Sequence, residues 1–535
     1  HHLSKKKNDI IIFCRSHHNA TLLNPGPPAL YRLNTERKRI DETETKVNRW
    51  TYGQKKRNKQ NKVILMVGET GAGKTTMINT LINYLLGEET SVVTVYEVFV
   101  EENPTSLTII DTPGYGHTEG LEKDREISEY LIRLFSDEDG IQYIDAVCFV
   151  MKATQNRLSR KEHYIVHSVL SLFGRDIENN IVFLLTHSDG GPPTNALNAI
   201  KKAEIPCRRD GKRKPIHFLF NNRQKEIRDK QYEHNYRSSW EMGARSMNEF
   251  FTFLEEKNRK SVWMTLDVMK ERIQLEACVS HLKDRICENE LKNNELTQIQ
   301  EALAQNRDKI QKFQSFQFTV KRSFKEKVPI ENEWGWNRNA TCCNVCQENC
   351  HEWNCWWVKN LSWCEVMKSN HCTVCTGKCH YSKHVRENKK YVIRTKEMKM
   401  AYDDLKLEYE HTGDRPETSF DKGIYINTKM KRESIMKESE NKTETEENLK
   451  SNLEKIKHEK SIMLHEAYIS IVSLCKISLK ADSASTLQHL DFLILRLKEE
   501  KRDKWIKNLE DLKKTGDQQK NKGALRHLMD YTAKN

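Results

Sequence analysis

The run Val63-Ile-Leu-Met-Val67 leads without a break into Gly68-Glu-Thr-Gly-Ala-Gly-Lys-Thr75, and few folds can contain that junction. Gly68-x-x-x-x-Gly73-Lys74-Thr75 fits the phosphate-loop pattern. The apolar run in front reads as a strand buried on both faces of a parallel sheet. Behind Thr75, the residues Ile78, Leu81, Ile82 and Leu85 recur at helical spacing. Glycines let backbone N–H groups turn inward around phosphate oxygens, and the helix N-terminus adds partial positive charge. Lys74 is expected to reach the β- and γ-phosphates, and the Thr75 hydroxyl to ligate Mg²⁺. Glu69, Thr70, Gly71 and Ala72, with Thr76 behind them, complete the expected cradle. The fold class this predicts is an α/β phosphate-loop head with a mostly parallel three-layer sheet.

The loop does not choose the base. That choice falls to residues downstream. "SLTIIDTPGYG" sets Asp111-Thr-Pro-Gly114 at the end of an apolar strand, where Asp111 is placed to hold Mg²⁺ and the Gly114 N–H to sense a γ-phosphate. "IDAVCFVM" and "NIVFLLTHSDGG" are two more buried-strand patterns, and the second ends in Thr186-His-Ser-Asp189. A carboxylate at that strand end accepts two hydrogen bonds from the ring N–H and exocyclic amine of guanine. Adenine lacks that donor arrangement, so Asp189 predicts GTP and GDP as ligands.

The order Gly68–Thr75, Asp111–Gly114, Thr186–Asp189 resembles the septin-related GTPases, and among them the immunity-associated, AIG-type G domain. Arg157–Gly174, "RLSRKEHYIVHSVLSLFG", resembles that family's characteristic helix. "HFLFNN", ending at Asn221-Asn222, is similar to its last nucleotide-side strand and loop. The resemblance covers about residues 62–255. It implies that His187 stacks on the base where small GTPases carry a lysine. It also implies that Thr94 closes onto Mg²⁺ in the GTP state, with Thr90 as a rival and ordinary strand threonines as the plain alternative.

Small GTPases with fast assisted hydrolysis carry a water-orienting glutamine after the Asp-x-x-Gly motif. Here the residues are Gly114-Tyr-Gly-His117. Slow turnover from one head is therefore expected. Pairing of heads, as the septin-like relatives use, would supply a missing group in trans, with His117 and Arg125 as candidates. The expected function is a slow GTPase switch regulated by homodimerisation or higher assembly, through the head or the helical region. The alternative is a helical scaffold with a structural nucleotide.

At 535 residues the chain is too long for one core. No apolar run approaches the ~18–20 residues of a membrane span, and no secretory signal is seen, so the expected compartment is the cytoplasm. The net charge of +13 is uneven. Residues 1–62 hold 15 Lys/Arg against 5 Asp/Glu, which reads as a basic, largely disordered leader over 1–61. Gln54–Lys62, "QKKRNKQNK", is either a solvated tail or a contact for anionic membrane or RNA.

Nine of the 15 cysteines fall between Cys342 and Cys379. "CNVCQENCHEWNC" and "CTVCTGKCHYSKH" are one pattern shifted by 29 residues. Cys343, Cys346, Cys350 and Cys355 correspond to Cys372, Cys375, Cys379 and His384, and His351 to His380. Cys-x₂-Cys has the bite that tetrahedral Zn²⁺ needs. Disulfides in an oxidising compartment are a second reading. Reduced cysteines beside a small core of Trp353, Trp356, Trp357 and Trp363 are a third. Spacing does not say whether the repeats bind separate ions or exchange ligands.

Helical arms are expected on both sides of this element. Val262, Leu266, Met269 and Ile273, then Leu296, Ile299, Leu303, Ile310 and Phe313, follow heptad-like spacing with Asn306 in the gap. The layout expected is a G domain over 62–255, a helical or coiled-coil arm over 256–335, a Cys/His element over 336–388 and a charged helical region over 389–535.

Overall fold

The computed structural model describes residues 11–13, 20–24, 30–33, 36–39, 47–56, 59–83, 93–99, 105–112, 121–137, 139–222, 229–256, 258–305, 317–330, 339–352, 358, 360–401, 404, 442–479 and 484–520. The chain divides into two compact units: residues 1–270 with 473–494 and 506–535, and residues 271–472 with 495–505.

The largest sheet of the first unit has eight strands: β1 (Glu36–Arg39), β2 (Val47–Tyr52), β3 (Gln60–Val67), β4 (Val93–Val98), β5 (Thr105–Asp111), β6 (Ala146–Lys152), β7 (Ile181–Thr186) and β8 (His217–Leu219). Their order in the sheet is β8-β7-β6-β3-β5-β4-β2-β1. All neighbours are parallel except β4 with β5 and β1 with β2. The apolar run behind Gln60–Lys62 is buried throughout, as a central strand covered on both faces must be. Helix α1 (Lys74–Asn83) buries Met77, Ile78 and Leu81 in the same core. Helix α2 spans Leu121–Ser136. In α3 (Arg160–Leu170), the Ser159 hydroxyl accepts the Glu162 N–H while the Glu162 carboxylate accepts the Ser159 N–H, a reciprocal cap. Helices α4 (Thr194–Lys202) and α5 (Glu233–Glu255) follow, and Phe250 of α5 meets Phe218 edge to face at 5.2 Å.

Two strands of this sheet come from the stretch expected to be a disordered leader. Trp50 and Tyr52 of β2 pack against the core, which gives that basic segment an apolar reason to fold. Lys62 is no tail residue either. It is 1% exposed, 3.9 Å from Asp145. Asp145 also takes the Val63 N–H at 2.7 Å and a two-pronged contact from Arg259 at 3.1 and 3.0 Å. Burial lowers the Lys62 pKa, and Asp145 opposes the fall.

The second unit departs from a pair of helical arms. Helix α6 (Trp263–Gln305) begins in the first unit and is 43 residues long. It buries Val268, Leu275, Val279, Leu282 and Ile286 as well as the expected Leu266, Met269, Ile273, Leu296 and Ile299. That stripe is wider than a coiled-coil seam. Ile310 and Phe313 lie outside the described residues.

Next comes a strand, β9 (Gln317–Pro329). The cysteine element follows, with β10 (Ala340–Cys343), β11 (Glu348–His351) and β12 (His384–Glu387) in a sheet of order β11-β10-β12. Then β13 (Lys389–Ala401) pairs antiparallel with all of β9, from Gln317↔Ala401 to Pro329↔Lys389. Part of the region expected to be charged helix is therefore a β-ribbon. Phe318 and Val320 alternate with exposed neighbours, the period of a strand. Glu288 and Glu295 of α6 hold the ribbon through Lys325 and Arg322, each at 3.1 Å.

Helices α7 (Lys442–Ile477), α8 (Ala484–Glu499) and α9 (Asp503–Lys520) complete the described chain. Within the first unit, the Leu479 N–H donates to the Phe173 carbonyl at 2.9 Å. No helix among the described residues is long and apolar enough to cross a membrane.

Candidate nucleotide site and metal centre

Strand register brings the predicted nucleotide residues to one edge of the sheet. Met66 pairs with Asp111, Val67 with Phe149, and Lys152 with Thr186. The phosphate loop, the Asp111 strand end and the Thr186–Asp189 turn therefore share the C-terminal edge, where open α/β sheets bind ligands. Gly71 and Gly73 take φ of +82° and +97°, which side chains resist. A Cβ on Gly68 would come within 2.5 Å of the Val150 carbonyl oxygen.

Lys74 is 9% exposed, and its Nζ donates to the Gly68 carbonyl at 2.7 Å and the Glu69 carbonyl at 3.4 Å. The ammonium is thus folded over the loop that it is expected to serve. Thr75 and Thr76 sit in the first turn of α1, with Glu69 and Thr70 at the loop's outer side. Asp111 is buried at its strand end. A hydroxyl and a carboxylate are hard oxygen ligands of the kind Mg²⁺ takes.

The Thr186 hydroxyl donates to the Ala72 carbonyl at 2.7 Å, tying the base-side strand directly to the phosphate loop. His187 takes φ +53°, and its Nδ1 lies 3.0 Å from Thr186 Oγ1. The exposed Asp189 carboxylate accepts the Gly191 N–H at 2.9 Å, which aims it within a turn that Gly190 permits at φ +90°. Asn221 and Asn222 follow β8, and Asn222 Nδ2 approaches Met77 Sδ at 3.5 Å.

Two contributors sit inside the quoted motifs at positions given no role there. The Thr112 hydroxyl bonds the Met66 carbonyl at 3.0 Å, and Ser188, 1% exposed, accepts the Gly190 N–H at 3.1 Å. Such short hydroxyl–backbone bonds carry no signature at a distance. Thr94 is a fully buried strand residue paired with Asp111 in the β4–β5 ladder. Thr90, Gly114, Tyr115 and His117 lie outside the described residues, as does the side chain of Arg125 in α2.

This geometry defines a phosphate-loop nucleotide-binding head of the α/β class. Residues 62–262 match the model of the AIG1 family. Mouse septin-14 is 47% identical over 62 residues, which is 10% of this chain and 14% of that protein. The chain thus spans a small part of the curated relative it matches. Among solved structures, Toc33 from Arabidopsis thaliana in complex with GDP and Mg²⁺ is 15% identical, covering 38% of this chain and 87% of that one with a TM-score of 0.29. Cdc11 from Saccharomyces cerevisiae is 19% identical, covering 34% and 77% with a TM-score of 0.19.

The cysteine element forms a separate site in the second unit. Among the described residues, two groups of metal-ligand atoms lie within 4.8 Å of one another: Cys343, Cys346, Cys375 and Cys379, and Cys350, Cys372, Cys375 and His384. Each group draws on both copies of the repeat. Cys355 lies outside the described residues. The described cysteines form no disulfide, and Trp363 is 68% exposed rather than part of a core.

Backbone N–H groups surround the sulfurs. Cys346 N–H points at Cys343 Sγ at 3.4 Å, Val374 and Cys375 N–H at Cys372 Sγ at 3.3 and 3.4 Å, and Gly377 N–H at Cys346 Sγ at 3.3 Å. Cys379 N–H points at Cys375 Sγ at 3.3 Å. Such donors favour thiolate over thiol. A Cβ on Gly377 would stand 3.0 Å from Cys379 Sγ and 3.1 Å from Cys346 Sγ, a tight fit against both sulfurs.

His384 is 5% exposed, and its Nδ1 lies 3.1 Å from the His380 carbonyl. A carbonyl only accepts, so Nδ1 is the donor there, and Nε2, which has no hydrogen-bond partner, is left facing the cysteines. In the metal-free site burial would lower the His384 pKa, but the sulfurs of Cys343, Cys372 and Cys375 push it up to about 12. Hydrogen bonds from Cys343, Cys346, Cys350 and Cys372 hold the Cys375 thiol well below its ordinary value. The site has the soft N/S donor set that suits Zn²⁺.

Proposed function

We propose that this protein is a guanine-nucleotide switch with slow intrinsic GTP hydrolysis, regulated by pairing or assembly of heads, and that Zn²⁺ holds its cysteine element. Gly68–Thr76 cradle the phosphates, Lys74 serves their charge, and Thr75 with Asp111 holds Mg²⁺. Gly114 is the switch residue, Thr94 is a strand residue beside Asp111, and His187, Asp189, Asn221 and Asn222 flank the base. The observation that carries this reading is the Thr186 hydroxyl bonded to Ala72 at 2.7 Å. It couples the turn presenting Asp189 to the loop that meets the phosphates.

Asp189→Asn replaces an acceptor pair with an amide that mismatches guanine. GTP binding is expected to weaken by about 2–3 kcal/mol, roughly 30- to 150-fold. Xanthosine triphosphate, whose base offers an acceptor instead, is expected to bind the variant better than the unaltered protein. Equal GTP affinity in the two proteins would remove Asp189 from the base site.

With Tyr115 where a water-orienting side chain stands in fast GTPases, specific activity is expected to be low in dilute solution and to rise with protein concentration. A rate per head that is high and independent of concentration would rule out completion of the site in trans.

A further inference from the structure

We propose that the cysteine element holds two Zn²⁺ ions joined by one bridging thiolate, Cys375. This rests on the zinc reading above and goes beyond it. The reason is a count. Two tetrahedral ions need four ligands each. Among the described residues seven side chains lie within reach, six cysteines and His384, and Cys375 belongs to both groups. Sharing Cys375 completes both shells. Without sharing, one ion has three of these ligands and needs an eighth.

The surroundings of Cys375 suit that role. It lies in Cys372-Thr-Val-Cys-Thr-Gly-Lys-Cys379, where both flanking cysteines are ligands, one in each group. Cys346 Sγ and Cys379 Sγ stand 3.7 Å apart, the edge of a tetrahedron around one ion. Its Zn–S bonds of about 2.3 Å predict sulfurs about 3.8 Å apart. For the other ion, the imidazole held by the His380 carbonyl presents its free Nε2. The 29-residue repeat thus does not make two separate knuckles. Its halves exchange ligands, and the second half's middle cysteine joins them. Six thiolates against two Zn²⁺ leave a net charge of −2, which the N–H groups aimed at sulfur offset.

The test uses the full chain purified under reducing conditions, with metal counted by native mass spectrometry and X-ray absorption at the zinc edge. Two ions per chain are expected, with zinc–zinc scattering at no more than about 4.6 Å, twice the Zn–S bond length. Cys375→Ser is expected to retain at most one ion. Cys355→Ser, at the repeat position that the bridge makes unnecessary, is expected to retain both. One ion in the unaltered protein, two without zinc–zinc scattering, two in Cys375→Ser, or one in Cys355→Ser would each overturn the bridge while leaving zinc binding in place. No metal at all would overturn the zinc reading itself. A Cys375→Ser chain that fails to fold leaves the scattering and the Cys355→Ser count to decide.

Discussion

Lys74→Ala is expected to abolish measurable nucleotide binding, with a loss of about 4 kcal/mol, roughly 1000-fold in Kd. The ammonium is the charged donor of a loop whose other contacts are backbone N–H groups. It stands beside the position the phosphates are expected to take, bonded to Gly68 and Glu69 carbonyls. Exchanging those carbonyls for phosphate oxygens puts charge on the acceptor as well as on the donor. Alanine removes the donor and leaves the phosphate charge unmatched. The head itself should stay folded, because the α1 core contacts of Met77, Ile78 and Leu81 do not involve Lys74. Fluorescent GTP titration, with circular dichroism as the folding control, checks this. Binding within threefold of the unaltered protein would displace Lys74 from the phosphate site.

Glu348→Gln is expected to loosen the loop that carries Thr376 and its flanking cysteines. Glu348 is 6% exposed and meets His281 at 2.9 Å, Arg285 at 3.7 Å, and the Thr376 N–H and hydroxyl at 2.8 and 2.7 Å. Burial alone would raise its pKa, yet His281 and Arg285 pull it down to about 2. The carboxylate therefore joins α6 to the loop between Cys375 and Cys379. An amide keeps the size but loses the charge that the buried Arg285 guanidinium and the His281 ring face, at a cost of about 3 kcal/mol. Hydrogen exchange should show protection across residues 372–379 falling roughly 100-fold, if local opening follows that cost. Unchanged protection would mean that the loop is held by other contacts.

The strand, loop and helix of the candidate nucleotide site were legible because their pattern is local. Glycine spacing, the apolar strand before it and the helix behind it sit within twenty residues, and each strand-end acid closes its own apolar run. Lys62 was not legible. It ends a basic stretch and reads as solvated, and only Asp145, brought beside it by the sheet, makes it a core residue. The ribbon was obscured because β9 and β13 are rich in lysine, and few apolar residues, such as Phe318 and Val320, mark the two-residue period. The 29-residue cysteine repeat was plain in the sequence, but spacing fixes which residues are similar and not which come together. The antiparallel closure of β9 on β13 and of β12 on β10 decides that.

In the proposed function, Asp189 and the phosphate loop make one guanine-nucleotide site. Isothermal titration of the full chain with GTP and with ATP, both with Mg²⁺, tests it most directly. GTP is expected to bind, and ATP to bind at least roughly 30-fold more weakly, since adenine leaves the carboxylate without its two donors. ATP binding as tightly as GTP, or neither nucleotide binding, would contradict it.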